Sequence, residues 1–101
     1  MKYSLRTEHI ELSQQNTEKL EQALQGLEKH VVPPFVTDVT IVHDTHHIHG
    51  SVVRCVIMIE QGKHVYRAER SEDSVHTAID SAVSALKSEL SSDHDRRKDH
   101  S

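Results

Sequence analysis

Histidine is the residue of this chain best supplied for chemistry: there are ten, and His43, His46, His47 and His49 crowd into one short polar tract. Imidazoles so closely spaced can converge on zinc, nickel or copper. No cysteine lies near them, and a solvated His-rich loop accounts for the same tract, so no bound metal or other cofactor is expected. The single cysteine, Cys55, sits within Val52-Val53-Arg54-Cys55-Val56-Ile57, a run that reads as a packed strand rather than a nucleophile's surroundings. No glycine-rich elbow surrounds any serine, and Gly26, Gly50 and Gly62 are isolated, so neither a nucleophile elbow nor a phosphate loop is present. Carboxylates such as Glu18 and Glu21 fall on the polar side of a helical pattern. The expectation is a binding protein, not an enzyme, with no small-molecule substrate.

Basic side chains are the second resource. Arg54, Lys63, Arg67 and Arg70 outnumber Glu60 and Glu69 in one stretch, and Arg96-Arg97-Lys98 forms another focus. Phosphate neutralisation supplies much of the affinity for nucleic acid, so a chain of net charge −4 needs such foci on one surface to hold RNA. Protonating all ten histidines would move the formal charge from −4 to −4 + 10 = +6, which predicts RNA affinity rising as pH falls toward about 6.

These side chains must be positioned by one small core, since 101 residues leave no room for a second domain. Tyr3 and Leu5 open a first strand. Ser13 is placed to cap a helix whose apolar stripe runs through Leu20, Ala23, Leu24, Leu27 and Val31. Gly26 inside it suggests close packing or a weak point. Pro33-Pro34 stops the helix, and alternation from Phe35 to Val42 predicts a strand. The tract His43 to Gly50 reads as a loop, Ser51 to Glu60 as a central strand, Gln61-Gly62 as a hairpin turn and Lys63 to Glu69 as the last strand. Arg70 to Asp73 connects to a second helix with Val75, Ala78, Ile79, Ala82, Val83, Leu86 and Leu90 on one face and Glu72 and Asp73 at its first turn. Residues 91–101 lack any apolar residue, which predicts a flexible polar tail after a domain of residues 1–90.

The predicted class is therefore α+β, in the order β-α-β-β-β-α, with a four-stranded mixed sheet and two helices packed on one face. No apolar run approaches the roughly 20 residues of a membrane span, and the start lacks a secretory h-region, so a cytoplasmic location without membrane contact is expected.

Ile10-Glu11-Leu12-Ser13, Leu24 followed by Leu27-Glu28-Lys29, and Ala68 through Val75-His76-Thr77-Ala78-Ile79-Asp80 carry a resemblance that spans nearly the whole chain. Leu86 and Leu90 fall where the family pattern Lys-Leu-x-x-Gln-Leu places its leucines. In these residues the chain resembles the short ribosome hibernation-promoting factor and ribosome-associated inhibitor family of ribosomal subunit interface proteins. The resemblance implies a translation inhibitor that settles into the mRNA and tRNA groove of the small ribosomal subunit under stress. Its partners would be rRNA and ribosomal proteins, met by basic residues on the two helices. Lys29, Arg70, Lys87, Arg96, Arg97 and Lys98 are the residues of this chain available for that role.

The pattern departs from the family at its basic positions. Ala85, Ser88 and Ser91 replace bases on the second helix, and Ala23 and Gly26 replace bases on the first. Acids outnumber bases in both helical segments. An alternative is a module of the same fold that has left the ribosome and binds protein or metal, the latter through His43, His46, His47 and His49.

Overall fold

The computed structural model describes residues 3–47 and 50–99; the side chains of 46, 47, 51 and 92–99 lie outside the described set. Its elements are β1 (Ser4–Glu8), α1 (Gln14–Glu28), β2 (Val36–His47), β3 (Gly50–Gln61), β4 (His64–Glu72) and α2 (Val75–Asp99). They form one sheet in the order β1-β2-β3-β4. β1 lies parallel to β2, and β2, β3 and β4 pair antiparallel. The order, the mixed sheet and the paired helices agree with the expected architecture.

Alternation on the strands sets which face is buried. Thr37, Val39 and Ile41 on β2, Val53, Cys55, Ile57 and Ile59 on β3, and Tyr66 and Ala68 on β4 all lie on one face and are buried. Leu20, Leu24 and Leu27 of α1 and Ala78, Ile79, Ala82, Leu86 and Leu90 of α2 join them in a single core cluster, so both helices cover the same face. Each fully buried aliphatic side chain contributes about 2 kcal/mol by leaving water. The other face of the sheet carries no helix.

Ser13 caps α1 as expected: it is extended, and its Oγ accepts from the Asn16 N–H at 3.1 Å. A second cap is Ser74, whose Oγ accepts from the Thr77 N–H at 3.2 Å. Glu72 and Asp73 therefore precede α2 instead of occupying its first turn. Gly26 is exposed on α1, and a Cβ there would meet nothing within 4 Å, so close packing is not the reason for it.

Three boundaries differ from the sequence expectation. Within the tract expected as a loop, His43 to His47 continue β2 and Gly50 opens β3, with the register shifting between Asp44 and His47; residues 48 and 49 lie outside the described residues. Backbone ladder bonds to Val52 and Val53 carry the strand through residues whose side chains give no apolar alternation. Likewise Arg70 to Glu72, expected as a connection, continue β4 opposite Cys55, Arg54 and Val53. The backbone of α2 stays helical to Asp99, past Leu90 and through the stretch expected as a tail.

Direction follows from the pairing. β1, β2 and β4 run one way, so α1, crossing from β1 to β2, and α2, folding back onto β4, both run the other way. Both helices thus head toward the end of the sheet that holds the β3–β4 turn. No helix among the described residues is long and apolar enough to cross a membrane.

Candidate nucleic-acid interface

The outer surface of the helix layer takes its charge from positions off the apolar stripes. Lys29 is the C-cap of α1 and exposed, where the helix carbonyls favour a cation. Lys87 is exposed on α2, between the buried Leu86 and Leu90. Neither has an ion-pair partner among the described residues. Lys19 is differently placed: its Nζ lies 2.8 Å from Asp80 Oδ1, a bridge between α1 and α2 that uses up its charge. His76 Nδ1 approaches the other oxygen of Asp80 at 3.6 Å.

The stretch rich in bases does not form one surface. Arg54 and Arg67 lie on the open face of the sheet, the Arg67 guanidinium 2.9 Å from Glu69. Arg70 has the opposite parity, paired with Cys55 on the helix-covered side at the β4 edge, and its Nη1 donates to the Glu69 carbonyl at 2.8 Å. Lys63 sits in the β3–β4 turn. The open face mixes Arg6, Arg54 and Arg67 with Glu8, Asp38, Glu60 and Glu69, so charge does not accumulate there.

Of the expected RNA contacts, Lys29 and Lys87 share the helix layer, whereas Arg70 is set apart toward the other end of β4. The backbone of Arg96, Arg97 and Lys98 belongs to α2 beyond Leu90, and their side chains lie outside the described residues.

The histidine tract is spread along a hairpin. His43 is half-buried on β2 opposite Val53, and the backbones of His46 and His47 extend the strand; their side chains and all of His49 lie outside the described residues. Among the described residues no group of three or more His, Cys, Asp or Glu could hold a metal ion. Cys55 is fully buried, and desolvation pushes its thiol up to about 12, which keeps it protonated and unreactive at neutral pH.

At the end of the sheet toward which both helices run, the α1–β2 connection meets the β3–β4 turn. Gln61 Nε2 donates to the Val32 carbonyl at 2.7 Å, joining the two. Val32, Pro33, Pro34, Gln61, Gly62, Lys63 and His64 line a recess there of about 550 Å³. Sequence reasoning passed over this place, taking Pro33-Pro34 only as a helix stop. Val32, just off the apolar stripe that ends at Val31, was the available signal.

The family model for Sigma 54 modulation protein / S30EA ribosomal protein matches residues 3–98. The chain belongs to that family. The S30EA family comprises ribosome-associated proteins, in line with the expected ribosome binding and role in translation regulation. No curated protein matches the chain. Among solved structures, the N-terminal domain of Protein Y from Thermus thermophilus is similar at 18% identity and a TM-score of 0.71, over 89% of this chain and 96% of that one. A ribosomal subunit interface protein from Coxiella burnetii is similar at 12% identity and a TM-score of 0.72, over 91% of this chain and 96% of that one. At such identities these likenesses show the shared fold, which the S30EA match independently implies.

Proposed function

We propose that this S30EA protein is a translation inhibitor of the hibernation type, occupying the mRNA and tRNA groove of the small ribosomal subunit under stress. The observation that carries the reading is the family match across residues 3–98. Lys29 and Lys87, exposed on the helix layer and without an ion-pair partner among the described residues, are its best-placed phosphate contacts, with Arg70, Arg96, Arg97 and Lys98 as further ones. The work is binding, and no catalytic step is required of any side chain.

Co-sedimentation with purified small subunits over a salt series tests it. Binding should weaken steeply between about 50 and about 200 mM salt, and Lys29→Glu with Lys87→Glu should flatten the slope of log K against log salt by roughly 1 to 2. No binding at the lowest salt would overturn the reading. That result would favour a same-fold module that binds protein away from the ribosome, a second reading supported by the acids of the helix layer, Glu18, Glu21, Asp80 and Glu89.

A further inference from the structure

β4 is an edge of the sheet: β3 pairs with one side of it, and no strand among the described residues pairs with the other. The two-residue turn at Gly62 and Lys63 makes Gln61 and His64 a hydrogen-bonded pair, so alternate residues from His64 onward bond to β3. Val65, Arg67, Glu69 and Ser71 therefore turn their backbone N–H and C=O groups outward. The Glu69 carbonyl bears this out, since it accepts from Arg70 Nη1 at 2.8 Å, outside the ladder. The register with β3 holds from His64 to Glu72 without a bulge, so the outward groups form a regular row. Such an edge is a template for a further strand unless its side chains forbid one.

Those side chains fit a second copy of β4. With an antiparallel copy laid alongside and the two-fold at Ala68, Arg67 lies opposite the partner's Glu69, and Glu69 opposite the partner's Arg67. On the helix-covered side Tyr66 meets the partner's Arg70, and His64 the partner's Glu72. Within one chain Arg67 already pairs with Glu69 at 2.9 Å, so the four charges close into a ring of alternating sign. Other registers lose this match. A two-fold at Arg67 or Glu69 sets like charges together, one at Tyr66 sets Arg67 against Val65, and one at Arg70 sets Glu69 against Ser71.

Helix α2 leaves room for the copy. It lies over β3 and β4, with Asp80 turned toward α1 by its bridge from Lys19. Ser81, Ala85 and Ser88 follow one another at helical spacing on the opposite flank, above the free edge, and none is bulky.

We infer that this edge is a self-association surface, where a second copy of the chain pairs β4 with β4 about a two-fold axis. The product is one eight-stranded sheet with all four helices on the same face. A nucleic acid backbone is a poorer occupant, because Glu69 stands between the cations that its phosphates would need. The contact is narrow, so pairing depends on concentration, and it stands apart from the ribosomal reading.

Sedimentation equilibrium of the full chain at low salt tests it. The apparent mass should climb with concentration from that of one chain toward twice that value; a mass fixed at one chain throughout overturns the inference. Arg67 and Glu69 are exposed, so Arg67→Glu and Glu69→Arg should each keep the fold, checked by circular dichroism. Each variant alone should self-associate at least about tenfold more weakly than wild type, because both symmetry-related pairs now set like charges together. Mixed one to one, the two variants bring opposite charges back to both pairs, and the mixture should regain wild-type association. No weakening in the single variants, or weakening that mixing fails to rescue, refutes the register and the surface with it.

Discussion

Cys55 offers a quantitative check on the packing of the core. Its thiol, paired in register between Ile41 and Arg70 and wholly buried, is raised from 9.0 to about 12 by desolvation. Above pH 9.0 the unfolded chain gives up this proton while the folded chain keeps it, so the unfolded state binds fewer protons and stability must fall as pH rises. The fall is about 1.4 kcal/mol per pH unit and ends where the folded thiol itself ionises, a total of about 4 kcal/mol. Urea unfolding at about pH 8 and about pH 10.5 should therefore show the wild type losing about 2 kcal/mol more than Cys55→Ala. The variant begins less stable because it leaves a small cavity, but that cost does not depend on pH. Tyr3, raised above 10.0 by burial and by Glu21, whose carboxylate accepts its hydroxyl at 3.3 Å, contributes in the same direction to both proteins and cancels. Equal losses in the two proteins would show that the thiol ionises in the folded state, which would refute its burial beneath the helices.

Two further changes probe the helices. Gly26→Ala should raise stability by about 1 kcal/mol in chemical denaturation, since the position is helical, exposed and sterically open, leaving only the propensity difference. Ser13→Ala should cost about 1 kcal/mol by leaving the Asn16 N–H without its side-chain acceptor, and Ser13→Asp should restore most of the loss.

Leucine and isoleucine at helical spacing announced both helices and the face each buries, because a chain this poor in aromatics has few other ways to cover a sheet. The Ser13 cap and the buried setting of Cys55 were readable for the same local reasons. His43 to His47 were misread because backbone pairing asks nothing of side chains, so a polar strand on a long hairpin carries no periodic signal. Arg70 to Glu72 escaped in the same way. For the candidate site, Lys29 and Lys87 could be placed on an exposed surface from their offset to the stripes. The recess could not, since it depends on Gln61 reaching Val32 across a sequence separation of 29. The dispersal of Arg54, Lys63, Arg67 and Arg70 over two faces and a turn was visible only once the β3–β4 register was known.

The parallel course of the two helices also governs how the molecule can be attached to anything else. β1 enters at Ser4, alongside Asp38 near the start of β2, and α2 leaves at the same pole. An affinity handle, a fluorescent fusion or any neighbouring domain joined by a short linker to either terminus would crowd the proline recess and spare the hairpin tip. Labels for measuring ribosome occupancy therefore belong at the far end, near Thr45, where they leave both the recess and the lysines of the helix layer unobstructed.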